Sequence, residues 1–166
     1  MRTRANQGFT LIELIITIAL IGIIAGFVIP QFGNMIDRNR VVSTTNSVVG
    51  LLNFGRSEAI RRNVGISVMI EGDTAWAILG NSGTSFDPSD ANDINNLLIR
   101  RIESPATGTT VAAPDGSDVA IGFRSNGMLD DTNDLQVAVC SGGADGRLIE
   151  VTRGGKINTI AYNGCP

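Results

Sequence analysis

An apolar run from Phe9 to Pro30 constrains this chain more than any other feature, because Glu13 is the only ionisable side chain between Phe9 and Phe32. The run is about as long as a helix needs to cross a bilayer core, roughly 20 residues. A carboxylate inside such a segment costs on the order of 2.5–3.5 kcal/mol on insertion scales, so a compensating partner is expected. Ahead of it lies a short polar stretch, residues 1–7, with Arg2 and Arg4. A cleavable secretory signal would close on a small-x-small site, whereas this run closes on Phe27-Val28-Ile29-Pro30. A plain single-span anchor satisfies the hydropathy and leaves Glu13 without a role. Charge bias does not orient the segment, since Arg2 and Arg4 precede it and Arg38 and Arg40 follow closely.

Pro30 removes one backbone donor and is expected to kink or locally open the helix. Beyond it, Val41, Val48, Leu52, Ala59 and Ile60 recur at helical spacing through Asn63. The period then changes to two. Val64, Ile66, Val68 and Ile70 alternate with small or polar residues, and Gly72-Asp73 turns the chain into a strand over 74–79. Residues 80–96 read as a surface loop. Further strands are expected over 97–102, 119–123, 135–139, 148–151 and 157–161, with a loop through Pro105 and Pro114 and turns at Asn126-Gly127 and Gly154-Gly155. The fold class is α+β: a long N-terminal helix, its first half transmembrane, packed on a C-terminal antiparallel β domain.

Residues 8–13, Gly8-Phe9-Thr10-Leu11-Ile12-Glu13, resemble the processing site of type IV pilins and type II secretion pseudopilins. The resemblance implies that a prepilin peptidase cleaves between Gly8 and Phe9 and that the new amine of Phe9 is N-methylated. It also implies that Glu13 serves filament assembly by meeting the amine of a neighbouring subunit. The chain then divides into a leader over 1–8, a transmembrane half-helix over 9–30, an amphipathic half-helix over 31–63 and a β domain over 64–166. Four later motifs, Ile29-Pro30-Gln31-Phe32, Arg38-Asn39-Arg40, Ser57-Glu58-Ala59-Ile60-Arg61-Arg62-Asn63 and Phe123-Arg124-Ser125-Asn126-Gly127, are similar to the FimT/FimU minor pilins, grouped with pseudopilin H. The family implies a structural subunit that joins or primes a type IV pilus. Its implied partners are other pilins or pseudopilins, the peptidase and the bacterial inner membrane, with the β domain in the periplasm or on the filament. A minor pseudopilin H of type II secretion and a DNA-binding pilus subunit for natural transformation stand as alternatives.

Placing the β domain outside the cytoplasm makes Cys140 and Cys165 a disulfide, since thiols pair in that compartment. Nothing in the chain suggests catalysis: there is no His, the commonest acid–base residue, no nucleophile elbow and no phosphate loop. No cofactor is expected. Two acidic loops, Asp87/Asp90/Asp93 and Asp130/Asp131/Asp134, miss the EF-hand spacing, and no metal site is expected there. For DNA, a family Gly-Arg-x-Arg motif aligns with Gly155-Lys156-Ile157-Asn158, leaving one cation, and Arg147 and Arg153 are candidates to join Lys156. Net charge is −3, and losing Arg2 and Arg4 with a leader makes the product more acidic. That opposes a broad phosphate-binding surface.

Overall fold

The computed structural model describes residues 9–71, 74–103, 108–142 and 145–165, with the side chains of 27–32, 34 and 103 outside that description. One helix, α1 (Leu11–Arg62), is followed by eight strands and a short helix, α2 (Ala91–Asn96). The chain divides into two compact units after Ile36.

In the first unit the described apolar side chains are open on every side of the helix. Leu11, Ile12, Leu14, Ile15, Ile16, Ile18, Leu20, Ile21, Ile23 and Ile24 all stand more than half exposed. The helical backbone continues through Pro30, so the expected opening at that position is not seen. Among the described residues no helix is long and apolar enough to cross a membrane. The expected span over 9–30 includes positions 27–30, whose side chains lie outside the description.

The second unit holds the rest of α1 and two four-stranded antiparallel sheets. β1 (Ile66–Glu71), β2 (Thr74–Leu79), β3 (Leu98–Glu103) and β5 (Val119–Phe123) form one, in the order β3-β2-β1-β5. β4 (Thr109–Ala112), β6 (Leu135–Ser141), β7 (Gly146–Val151) and β8 (Ile157–Tyr162) form the other, in the order β4-β6-β7-β8. The chain lays β4 in the second sheet before returning to β5 in the first, which interlocks the two. A single core joins them: Val41, Val48, Leu51, Leu52 and Ala59 of α1 meet Val68, Ile121 and Phe123 of one sheet and Val137, Val139 and Ile149 of the other. Full burial of each large side chain stabilises by about 1.5–3 kcal/mol. Glu71 stands opposite Thr74 in the β1–β2 register; the expected turn residues Gly72 and Asp73 lie outside the described residues.

Two elements depart from the sequence expectation. The loop over 80–96 ends in α2, capped by Asp90, whose side chain accepts the Asn92 N–H at 2.8 Å. The cap residue was visible, but the six residues after it bury nothing and so carry no apolar period. The expected loop between Pro105 and Pro114 contains β4, whose Thr-Thr-Val-Ala run pairs with β6. Four residues are too few for alternation to register against two flanking prolines.

Candidate functional site

The helix starts at Thr10. The Glu13 N–H donates to Thr10 Oγ1 at 3.3 Å and the Leu14 N–H to the Thr10 carbonyl at 3.2 Å, so Thr10 is the N-cap and Glu13 the third helical residue. Thr-x-x-Glu is the sequence of a capping box. Sequence reasoning singled out Glu13 and missed Thr10, although the spacing was there to see. The position places an acid in the first turn, where the helix dipole favours negative charge by roughly 0.3–1 kcal/mol when exposed. Phe9, the expected methylated residue, is 86% exposed just ahead of the cap. Gly8, the other half of the expected cleavage site, lies outside the described residues.

In the second unit the later sequence motifs turn out to be architecture. Ser57 to Asn63 is the C-terminal end of α1. Ala59 is fully buried, Asn63 takes the left-handed conformation at φ 56°, and the Val64 N–H returns to the Ala59 carbonyl at 3.3 Å. That is a Schellman-type cap, with Asn in the place glycine usually fills. Phe123 to Gly127 is a turn in which Phe123 enters the core and Asn126 Oδ1 accepts the Met128 N–H at 3.0 Å. Arg56 ties the two motifs together: its Nε–H donates to the Gly127 carbonyl at 3.0 Å and its Nη2 to the Gly154 carbonyl at 3.5 Å. One guanidinium thereby holds a turn from each sheet against α1. No local signal announces Arg56, because its partners lie 71 and 98 residues away.

Glu58 is buried, with side-chain exposure of 9%, and pairs with both Arg61 and Arg62. Hydrogen bonds from Arg61 and then Arg62 lower its pKa from 4.5 to about 2, outweighing the opposing effect of desolvation. Because the folded value is depressed, the stabilisation is fully present above pH 4.5 and is lost as pH falls toward 2. Urea midpoints of the wild-type chain should therefore decline over that window. Glu58→Gln should be less stable at pH 6 and show a shallower acid decline; an unchanged slope would remove this pair as its cause.

The three candidate DNA-contacting residues are not brought together. Arg153 and Lys156 flank the turn joining β7 to β8, where the Thr152 N–H donates to the Lys156 carbonyl at 2.9 Å. Arg147 pairs in register with Ala161, four residues before Val151 and its partner Ile157, which is roughly 13 Å of strand away. Alternation along the paired strands therefore does not set Arg147 beside Lys156. Arg147 instead shares a cavity of about 290 Å³ with Arg38, Val41, Val42, Asp145 and Ala161.

The loop acids accept backbone hydrogen bonds. Asp87 takes the Ser89 N–H, Asp93 the Asp87 N–H, Asp130 the Ser82 N–H, Asp131 the Asn133 N–H and Asp134 the Arg153 N–H. Among the described residues no cluster of three potential metal ligands occurs. Cys140 and Cys165 form a disulfide with Cα atoms 5.7 Å apart. Cys140 lies on β6 and Cys165 beyond the end of β8, so the bridge passes over β7 between them. Gly146 makes room for it: a Cβ there would collide with Cys165 Sγ and stand 3.3 Å from Cys140 Sγ.

Residues 44–155 match the family described as Type II transport protein GspH, and residues 3–29 match the prokaryotic N-terminal methylation motif. A type IV major fimbrial protein FimA of Dichelobacter nodosus is 31% identical over 122 residues, covering 71% of this chain and 67% of its own. A fimbrial protein of Pseudomonas aeruginosa is 33% identical over 91 residues, covering 55% of this chain and 59% of its own. The chain spans little more than half the length of the first curated relatives it matches. Among solved structures, the type IV minor pilin FimU of Pseudomonas aeruginosa shares the fold, with a TM-score of 0.62 at 21% identity over 78% of this chain and 97% of that one. These are structural subunits of pilin type and not an enzyme family, and with the GspH match spanning most of its length, this chain belongs to the GspH family of type IV pilin-like proteins.

Proposed function

We propose that this chain is a minor pilin. Prepilin peptidase removes residues 1–8, the first half of α1 resides in the bacterial inner membrane, and the processed subunit joins a type IV pilus with its β domain outside the cytoplasm. The observation that carries this is the stretch of α1 over residues 11–26, apolar on all sides, whose single acid, Glu13, sits in its first turn beside the Thr10 cap. A helix with no polar face needs lipid or other helices around it. Cleavage before Phe9 would put a new ammonium group one turn from that carboxylate. Pairing across subunits would then neutralise both charges in an apolar setting, where an unpaired charge is costly. The fimbrial names of the curated relatives support a pilus over a secretion filament.

Glu13→Leu decides the matter. The substitution lowers the cost of lipid insertion, so the chain should stay in the membrane. Its recovery in sheared pili should fall about tenfold, as loss of roughly 1.4 kcal/mol of subunit attraction would produce. Gly8→Val should leave full-length precursor. Wild-type recovery of the Glu13→Leu chain in pili, or a native N-terminus other than Phe9, would refute the proposal. Co-purification with secretion-system components in place of pili would move the chain to the pseudopilins.

A further inference from the structure

Four strands end a sheet, and three of them are closed to a further strand. β3 carries Arg100, Arg101 and Glu103, and its register with β2 shifts between Ala77 and Ile78. β4 is four residues long. β5 is occupied at its C-terminal end by the returning chain: the Asp130 N–H donates to the Gly122 carbonyl at 2.9 Å, and Phe123 bridges Leu129. Charges, irregular register, shortness and a covering segment are the usual protections of a sheet edge.

Among the described residues β8 has none of them. Ile157–Tyr162 keeps six successive register pairs with β7, and no charge or proline lies between Lys156 and Cys165. None of its residues is buried, and Ile160 is 45% exposed. A row of outward backbone donors and acceptors is matched only by another extended backbone. The two faces beside this edge differ. On one, the registers align Ala112, Ala138, Leu148 and Ile160 into an apolar row that runs out to the edge. On the other, Ala161 and Arg147 line the cavity with Arg38, Val41, Val42 and Asp145, where Arg38 pairs with Asp145 at 3.3 Å and Arg147 adds a second guanidinium to the one carboxylate.

We infer that β8 is a docking edge for an extended segment of another protein chain, which adds as a strand and sets an apolar side chain beside Ile160 and a carboxylate toward Arg38 and Arg147. Because strand side chains alternate between faces, those two partner residues are neighbours in sequence. A second copy pairing through its own β8 does not meet this requirement, since that strand has no carboxylate. The inference concerns a surface separate from Glu13 and does not depend on which filament the subunit joins.

The test places a photoreactive benzophenone side chain at Thr159 of the full chain in cells, with Thr110 on β4 as the reference position. Thr159 should cross-link to an extended segment of another protein that carries an apolar–acidic pair, and Thr110 should not. Ile160→Lys should reduce that product about tenfold, equivalent to roughly 1.4 kcal/mol, while the Cys140–Cys165 bridge stays oxidised; Ile160→Val should retain it. Arg147→Glu should weaken the product, and changing the mapped carboxylate to lysine should restore it. The inference is overturned by no cross-link at Thr159, a product indifferent to Ile160→Lys, or a product mapping to a helix or to β8 of a second copy. Recovery in sheared pili, measured in the same cells, separates failure here from failure of the pilin assignment.

Discussion

Valine at Gly155 should destabilise the β domain by about 2–5 kcal/mol, the sum of a left-handed backbone position and a displaced carbonyl partner. Gly155 has φ 77°, a region that L side chains avoid and β-branched ones most of all. Its added Cβ would also strike the Gly127 carbonyl and stand 2.9 Å from Arg56 Nε. That carbonyl is the acceptor through which Arg56 holds the β5 turn, so the clash opens the junction of α1 with both sheets. Gly154→Ala is the matched control, because a Cβ at Gly154 meets nothing within 4 Å. It should change stability by no more than about 0.5 kcal/mol. Urea unfolding of the detergent-solubilised full chain reads both. Arg56→Ala should cost about 1.5–3 kcal/mol alone, as a lost charge-assisted hydrogen bond does. Combined with Gly155→Val it should add less than its separate value, since both act on one contact. Full additivity would show that the two residues do not share it.

Replacing Cys140 and Cys165 together with serine should cost about 3–4 kcal/mol, the chain-entropy value for a loop of this size. The sequence separation is 25, and the bridge ties the segment after β8 back to β6. Thermal unfolding should move down by roughly 10 °C for a domain this small. Gly146→Ala gives an independent check, because its Cβ would occupy space the sulfur atoms need. It should raise the fraction of free thiol in non-reduced intact mass, whereas Gly142→Ala, in open space, should not. Two free thiols in the wild-type chain would contradict the bridge. A stability loss under about 1 kcal/mol for the double serine variant would mean that the unfolded chain is already constrained over this loop.

The sequence alone was enough for α1, the strands other than β4 and the α+β class, since the first half of α1 is an unbroken apolar run and the other elements rest on a local period that burial imposes. β2 and β5 fall on their expected residues without adjustment. The prominence of Glu13 and the pairing of two lone cysteines were legible for the same reason: a single charge in an apolar run and two thiols expected outside the cytoplasm need no three-dimensional context. Register and long-range contact were not legible. Arg56 reads as any charged helix residue until Gly127 and Gly154 are brought to it from two sheets. Arg147 and Lys156 are nine residues apart across a strand pair and sit at opposite ends of that pair, because the turn between them fixes the register. The open edge of β8 is likewise a property of strand order. Which strand ends a sheet depends on the interlocking of β4 and β5, and no residue of β8 encodes it. Local physics wrote the elements, and the burial of one core shared by α1 and both sheets decided which of them are neighbours.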